Sequence, residues 1–215
     1  MFNLVVDEIE YSSGNRSVRE VADHPGGAVV VPVLDDGSVL LVHQFRYPVK
    51  KNLFELPAGK LSPGEDPKAC AARELEEETG YTAGTLAKLA AIYTTPGFCN
   101  EQLHLYVATE LKKLSTGQRL EEGEMDLTVH AIPLAEVIQM IEDQVIIDGK
   151  TICGIFMVER QIRSGTIRLP GGGRRSPSSL SRRNVKAARS RKMSFVGSLR
   201  NTYRGASQTI RCRPF

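Results

Sequence analysis

The segment that most constrains the fold of this 215-residue chain is GKLSPGEDPKACAARELEEETGY, residues 59–81. Proline and glycine punctuate its first half, which favours a loop, whereas Ala, Leu, Glu and Arg fill its second half and favour a helix. Pro67 suits the first turn of such a helix, and Gly80 suits its end. The sequence therefore predicts a loop that leads into a helix over residues 69–79.

Three carboxylates share one face of this predicted helix. Glu74 and Glu78 are four residues apart and Glu74 and Glu77 are three apart, so their side chains are neighbours. Like charges at these spacings destabilise a bare helix by roughly 0.2–0.5 kcal/mol per pair. The face therefore needs a counter-charge, and hard divalent cations such as Mg2+ prefer oxygen ligands of this kind. Arg73 lies beside the cluster, and an ion pair with Glu65 would fix the loop onto the helix.

A solvated surface helix is the alternative for an isolated run of glutamates, but this run belongs to a longer pattern. The pattern resembles the signature of the Nudix hydrolases at each fixed position, with an aromatic residue at the last one, where an aliphatic residue is commoner. The matching residues are Gly59, Glu65, Arg73, Glu74, Leu75, Glu77, Glu78, Gly80 and Tyr81. The resemblance identifies residues 59–81 as a Nudix box and implies hydrolysis of a nucleoside diphosphate linked to another group.

The resemblance also implies how a metal is bound. Glu74 and Glu78 would bind Mg2+ directly, Glu77 would bind it directly or through water, and the backbone carbonyl of Ala58 would complete the site, with Mn2+ as a substitute. Such an ion can neutralise the diphosphate oxygens and activate a water held in line with phosphorus. Arg73 and Glu77 are accordingly expected to belong to the catalytic set. A base outside the helix must still take the proton.

Two glutamates in the acidic loop at residues 120–126 are candidates for that base. In the ADP-ribose-cleaving branch of the family that the chain resembles, a glutamate from a loop at this place supplies the base. Glu122 and Glu124 both match by position, and the sequence leaves the choice between them open. The alternative is a flexible charged loop with no catalytic role.

A second marker indicates the substrate class, because Pro96 lies sixteen residues after Gly80. With the flanking words GGAVVVPV, QFRYPV, FELPAG and PGFCNE, this proline resembles the ADP-ribose pyrophosphatase branch, and the resemblance spans about residues 5–163. It implies cleavage of ADP-ribose to AMP and ribose 5-phosphate, with Arg46 holding a phosphate or the terminal ribose and Phe98 lining the pocket. The alternatives are an ordinary turn at Pro96, a strand cap at Arg46 and a different nucleoside diphosphate sugar as substrate.

Apolar patterns around the box predict the remaining elements. Strands are predicted at residues 3–10, 17–22, 28–34, 39–45, 86–93, 103–110 and 127–132. Helices are predicted at residues 134–142 and 151–163, where apolar residues recur at helical spacing. These elements predict an α/β fold, a Nudix-type α/β/α sandwich around a mixed sheet, in one domain over residues 1–163.

The net charge of +3 conceals a division of the chain. Residues 1–163 hold 15 Lys and Arg against 25 Asp and Glu, a net charge of −10, whereas residues 164–215 hold 13 Lys and Arg and no acid. In this second segment Leu, Ile, Val and Phe total nine of 52 residues, too few to offset the entropy of ordering it. We therefore expect a disordered basic tail after about Gly165.

Such a tail could contact nucleic acid through its arginines. It could equally be a solvated extension, or a C-terminus whose reading frame departs from that of its relatives. A non-catalytic nucleotide-sugar sensor with a nucleic-acid-binding tail is the hypothesis from another functional class. It is disfavoured because a sensor has no reason to keep a face of mutually repelling carboxylates.

The other expectations concern location and assembly. No apolar run is long enough to cross a bilayer, nothing at the N-terminus resembles a signal peptide, and the four cysteines form no C-x-x-C pair, so a cytoplasmic protein with reduced thiols is expected. The resemblance implies a homodimer whose N-terminal strands, within residues 5–21, reach over the partner.

Overall fold

The structure, a computed structural model, describes residues 2–169. The strands are β1 (Asn3–Glu10), β2 (Arg16–Asp23), β3 (Gly27–Pro32), β4 (Ser38–Arg46), β5 (Lys51–Glu55), β6 (Ala58–Lys60), β7 (Tyr81–Tyr93), β8 (Gln102–Lys113) and β9 (Thr128–Pro133). The helices are α1 (Pro67–Thr79), α2 (Leu134–Glu142) and α3 (Gly149–Arg163), and a 3-10 turn covers Glu122–Glu124.

Strand β3 divides the interior into two cores, because it is buried along its whole length. Successive side chains of a strand point to opposite faces of the sheet. Ala28 and Val30 belong to the core that contains Leu75 of α1, whereas Val31 belongs to the core that contains Ile155 of α3. Helix α1 therefore covers one face of the sheet and α3 covers the other, which confirms the predicted sandwich.

The nine strands form three sheets. In the order β6-β3-β8-β7, four strands build a mixed sheet in which β3 and β8 are parallel and the other pairs are antiparallel. Strands β5, β4 and β9 form an antiparallel sheet, and β1 pairs only with β2. The mixed sheet was predicted, but this division was not. It arises because β3 and β4 are joined only by the isolated bridge between Val33 and Val39.

All seven predicted strands and all three predicted helices are present, with changes at their ends. Strand β7 begins at Tyr81 rather than at residue 86, because it pairs with β8 from the position where Tyr81 faces Lys113. Two short strands were missed. The three residues of β6 are too few for a periodic signal, and β5, KNLFE, does not alternate between polar and apolar side chains.

Helix α1 is closed at both ends by its own sequence. The Asp66 carboxylate accepts hydrogen bonds from the N–H groups of Lys68 and Ala69 at 3.1 and 3.2 Å, so the helix begins at Pro67, two residues earlier than predicted. At the other end Gly80 adopts the left-handed conformation, with φ of 71°, and donates its N–H to the Glu76 carbonyl.

The ordered chain continues beyond α3. Both Thr166 and Ile167 donate their N–H groups to the Gln161 carbonyl, and the side chains of Ile167 and Leu169 pack against the core. These contacts extend four residues beyond Gly165, the approximate start expected for the tail. The disorder and the nucleic-acid contact predicted for the rest of the tail, from residue 170, lie outside the described residues.

Two further expectations can be compared with the fold. No helix within residues 2–169 is long and apolar enough to cross a membrane. Cys70, Cys99 and Cys153 are free thiols, and Cys212 lies beyond the part of the chain that the structure describes. The cytoplasmic location and the domain boundary at residue 163 stay predictions.

Candidate active site

The Arg73 guanidinium connects the loop of the box to the carboxylates of α1. Its Nε donates to Glu65 Oε1 at 3.0 Å, and its Nη1 donates to Glu74 Oε1 at 2.6 Å and to Glu77 Oε2 at 2.9 Å. A further bond from Nη2 reaches the Lys60 carbonyl at 3.3 Å. Hydrogen bonding to Arg73 lowers the pKa of Glu65 to about 2, so this loop carboxylate stays ionised. The predicted ion pair between loop and helix is therefore present.

Glu78 is the most buried of the three box carboxylates. Its residue is 1% exposed, and its Oε2 accepts a hydrogen bond from the Ala58 N–H at 3.1 Å. Burial, together with the charges of Glu74 and Glu124, raises its pKa to about 8. Burial likewise raises the pKa of Glu74. The carboxylates lie in a low-dielectric site, where they need a cation to stay ionised together.

Gly59 makes room for the Glu74 carboxylate. A Cβ atom added at residue 59 would lie 1.8 Å from Glu74 Oε1, which is far closer than two atoms can approach. The glycine of the box therefore has a steric reason at this position: only a residue without a side chain lets β6 and the Glu74 side chain approach each other in this way.

The donor set fits a hard divalent cation. Glu74, Glu77 and Glu78 offer carboxylate oxygens from one helix face, next to the backbone of Ala58, which is the all-oxygen chemistry that Mg2+ and Mn2+ prefer. Within residues 2–169, no three His, Cys, Asp or Glu side chains already converge as a closed metal site. The physical reason is visible in the contacts, because Arg73 binds Glu74 and Glu77 while Ala58 holds Glu78. The metal-ligand roles of Glu74, Glu77, Glu78 and Ala58 stay predictions.

The two candidate bases in the acidic loop differ in their exposure and in their contacts. The charge of Glu124 raises the pKa of both Glu74 and Glu78. Glu122 is exposed to solvent, and Glu124 is half-buried. The Glu124 Oε2 also accepts the Glu121 N–H at 3.3 Å, which orders this side chain. Glu124 is thus the less exposed and better held of the two candidates, and the base role of either residue stays a prediction.

A cleft of about 560 Å³ opens beside the box. Its lining includes Ala58, whose N–H holds Glu78, and Arg46, the predicted phosphate ligand. Glu101 and His24 also line it, and Glu101 Oε1 lies 3.3 Å from His24 Nδ1. A cleft that adjoins the carboxylate cluster and contains both cationic and anionic side chains is suited to a polar ligand with phosphate groups and hydroxyls.

Pro96 and Phe98 do not line this cleft. They line a smaller cavity of about 260 Å³, together with Val21 of β2. Tyr93 lines both cavities. The loop with Phe98 is bound to β2, because the Phe98 carbonyl accepts the Ala22 N–H at 2.8 Å. The substrate-binding role of Pro96 and Phe98 stays a prediction, and it applies to the smaller cavity next to the cleft.

Sequence reasoning missed an ion network on the cleft wall. Arg46 forms a two-bond ion pair with Glu55, and Lys150 contacts both Glu55 and Asp148. Glu55 occurs inside the word FELPAG, where a charged residue between apolar neighbours is itself a signal of a buried pair. Lys150 gave no signal, because nothing in the sequence relates the start of α3 to β5.

Comparisons with known proteins place these features in a family. The chain matches the family described as NUDIX domain over residues 23–155. It is 41% identical over 155 residues to an ADP-ribose pyrophosphatase of Bacillus subtilis (strain 168), a match that covers 72% of this chain and 83% of the relative. It is 36% identical over 144 residues to a GDP-mannose pyrophosphatase of Pectobacterium atrosepticum, covering 64% of this chain and 74% of the relative.

A solved structure shares the fold. It is described as an ADP compounds hydrolase, and it superposes with a TM-score of 0.67 at 24% sequence identity. The superposition covers 77% of this chain and 88% of that chain. The arrangement of α1, α3 and the mixed sheet is therefore a known architecture.

Proposed function

This chain belongs to the Nudix hydrolase family, and we propose that it hydrolyses the pyrophosphate bond of ADP-ribose to AMP and ribose 5-phosphate with the help of Mg2+. The observation that carries the proposal is that two buried glutamates, Glu74 and Glu78, lie against residues that line the cleft with Arg46. Glu78 accepts the Ala58 N–H, and Glu74 packs against Gly59. The choice of ADP-ribose is supported by the 41% identity to an ADP-ribose pyrophosphatase over most of the chain.

The cleft wall provides the groups that bind and orient the diphosphate. Arg46 can donate hydrogen bonds to phosphate oxygens, and guanidinium groups match their geometry. Glu101 can accept hydrogen bonds from ribose hydroxyls at the same cleft. These contacts hold the phosphorus atoms beside α1, which converts the attack of water into an intramolecular step.

The box face supplies the metal site of the proposed reaction. Glu74 and Glu78 would hold a divalent cation, with Glu77 and the Ala58 carbonyl as further ligands. A cation bound there would neutralise diphosphate charge and make a water more acidic. Arg73 positions Glu74 and Glu77 from the side of the loop.

The proposed base is Glu124 rather than Glu122. Its charge acts on both Glu74 and Glu78, so its carboxylate lies within electrostatic range of the water that the metal site would orient. Glu122 lies in the same loop but is exposed to solvent. A carboxylate of this kind takes one proton as the water attacks phosphorus.

A second nucleoside diphosphate sugar is the alternative substrate. The 36% identity to a GDP-mannose pyrophosphatase favours it, because the same box and cleft chemistry would serve either sugar. The two substrates differ in the base and in the sugar, so the distinction depends on the cavity walls rather than on the carboxylates of α1.

A substrate panel tests the proposed function. Purified full-length protein is given ADP-ribose, GDP-mannose, UDP-glucose and free ADP, each with Mg2+, with Mn2+ or with EDTA, and the products are separated by chromatography. We expect kcat/KM for ADP-ribose to exceed that for GDP-mannose by at least about tenfold, or about 1.4 kcal/mol. Preference for GDP-mannose would select the alternative, and turnover of no nucleoside diphosphate sugar would refute both.

We further propose that the protein acts as a homodimer. Leu4, Val6 and Val18 lie on one face of the β1–β2 hairpin, which also carries Glu8 and Glu20, and they are 68%, 41% and 56% exposed. A two-stranded sheet that exposes apolar side chains in this way is only marginally stable in water. A second copy of the chain would cover this face, as the N-terminal strands were expected to do from the resemblance.

A further inference from the structure

An ion network at the edge of the cleft joins β4, β5 and α3. The Arg46 Nε and Nη2 atoms donate to Glu55 Oε1 and Oε2 at 2.7 and 2.8 Å. The Lys150 ammonium contacts the same Glu55 Oε2, and it donates to Asp148 Oδ2 at 3.0 Å. Glu55 is thus a carboxylate that two cations share, one from a strand and one from a helix.

Glu55 depends on both cations, because its residue is 1% exposed. Burial alone would raise the pKa of Glu55, but the hydrogen bond and charge of Arg46 and the charge of Lys150 outweigh burial and lower it. The two cations balance the carboxylates of Glu55 and Asp148. Without Lys150, the Arg46 guanidinium would have to balance the charges of both Glu55 and Asp148 in a partly buried site, which is unfavourable.

The position of Arg46 depends on Glu55. Strand register places Arg46 opposite Lys51 and places Glu55 opposite Val42, so the Arg46 side chain must reach back along the sheet to form its two bonds. Its Nη1 group makes no hydrogen bond to another residue in the part of the chain that the structure describes. The fork to Glu55 therefore fixes the guanidinium while leaving Nη1 free for a ligand in the cleft.

The start of α3 makes Lys150 a rigid support. The Asp148 carboxylate caps the helix by accepting the Thr151 N–H at 3.0 Å and the Thr151 hydroxyl at 2.6 Å. The Thr151 hydroxyl oxygen in turn accepts the Leu56 N–H at 2.8 Å. The residue that follows Glu55 is therefore bonded to the helix that carries Lys150, so the two sides of the network cannot move independently.

We propose that Lys150 is a positioning residue, which acts through Glu55 to hold the Arg46 guanidinium toward the diphosphate of the substrate. The inference rests on the proposed function in one respect, because it takes Arg46 as the phosphate-binding group. It goes beyond that function by assigning the orientation of this group to a helix that carries none of the box residues.

A double-mutant cycle tests the proposal by kinetics. KM and kcat are measured for Lys150→Met, Arg46→Ala and the double variant, with ADP-ribose or with whichever sugar nucleotide of the panel the wild type cleaves fastest. We expect Lys150→Met to raise KM about tenfold and to change it less than twofold once Arg46 is absent, because directly coupled residues are not additive. Lys150→Arg should keep KM close to the wild-type value.

The control is Lys51→Met, which removes an exposed lysine opposite Arg46 and leaves Glu55 untouched. It should keep KM within twofold of the wild type. Equal effects of Lys150→Met with and without Arg46 would overturn the proposal, as would an unchanged KM. A simple packing defect would lower the melting temperature and kcat in both backgrounds and would not depend on Arg46.

A second readout does not depend on any substrate. In protein labelled with nitrogen-15 arginine, the Nε–H signal of Arg46 reports its bond to Glu55, and Arg46→Lys assigns the signal by removing it. We expect the signal to shift and to exchange faster with water in Lys150→Met, and to be retained in Lys150→Arg. An unchanged signal in Lys150→Met would refute the positioning role, even if the substrate proposal itself failed at the wild-type stage.

Discussion

At the scale of single residues, the acidic loop offers a choice that mutation can decide. We predict that Glu124→Gln lowers kcat by about 100-fold or more, within the range typical of a lost general base, while KM changes little. The reason is that the charge of Glu124 acts on the box carboxylates Glu74 and Glu78, and that the Glu121 N–H holds its side chain. The measurement is steady-state hydrolysis of the preferred sugar nucleotide at saturating Mg2+.

The matched control is Glu122→Gln, which removes the same charge two residues away. It should retain kcat within about threefold, a change of less than one kcal/mol. The reverse pattern would assign the base to Glu122. Full activity of both variants would contradict a base in this loop.

Glu78 has a consequence for stability that can be measured without substrate. Its pKa is about 8 in the folded, metal-free protein and near 4.5 in a model peptide. The folded state therefore binds more protons than the unfolded state between these values, so its stability falls as pH rises from 4.5 to 8. We predict that Glu78→Gln in EDTA melts at a higher temperature than the wild type at pH 8.5, and that the gap narrows toward pH 5.

Thermal unfolding followed by circular dichroism checks this, with the same pair of proteins in Mg2+ as a control. Bound Mg2+ would raise the melting temperature of the wild type and not that of the variant. If the melting temperatures of the two proteins in EDTA changed in parallel with pH, burial would not raise the pKa of Glu78.

At the scale of elements, the contact between β6 and α1 is as important as the carboxylates. We predict that Gly59→Ala lowers kcat/KM by about 100-fold, since displacing a reacting group by about 1 Å can cost that much. The added Cβ would meet Glu74 Oε1 at 1.8 Å, so the carboxylate at the end of a flexible side chain has to move. Because a side chain rather than the backbone gives way, the melting temperature should stay within a few degrees.

The control is the pair Glu74→Gln and Gly59→Ala/Glu74→Gln. If Gly59 acts by making room for Glu74, Gly59→Ala adds nothing to the loss of activity that Glu74→Gln causes alone. Independent, multiplying losses would instead indicate that Gly59 matters for the Ala58 backbone or for the cleft.

The element scale also shows what the sequence could and could not predict. The helix over residues 69–79, its proline start and its glycine end follow from local propensity and capping, and the structure has them with a start two residues earlier. Strands β5 and β6 could not be predicted, because their pairing with β4 and β3 is set by tertiary contacts and not by a period. The same holds for Glu55 and Lys150, which are 95 residues apart and meet only in the fold.

In the candidate site, groups of residues that are close in sequence could be predicted, and groups from distant segments could not. Glu74, Glu77 and Glu78 belong to one helix, so spacing alone predicted that they share one face, with Arg73 beside them. The cleft is formed by segments from His24 to Cys153, and no local pattern reports it. Pro96 and Phe98 illustrate the limit. The sequence pattern that contains them predicts a substrate contact, whereas the two residues line a neighbouring cavity.

At the scale of the whole molecule, the exposed hairpin predicts assembly. We expect the protein to have twice the 23.6 kDa mass of one chain in light scattering after gel filtration. The double variant Leu4→Glu/Val18→Glu should be monomeric, because it places charges on the apolar face of β1–β2. Glu8→Gln, on the same face, should remain dimeric. A monomeric wild type at micromolar concentration would contradict the proposal.

The most direct test of the central claim is the fate of the pyrophosphate bond in water labelled with oxygen-18. The wild type is incubated with ADP-ribose and Mg2+, and the products are analysed by mass spectrometry, with Glu78→Gln and an EDTA sample alongside. We predict equal amounts of AMP and ribose 5-phosphate, a single oxygen-18 in one of the two phosphate groups, and no products in either control. Products that keep the pyrophosphate intact, or equal turnover in EDTA and by Glu78→Gln, would contradict it.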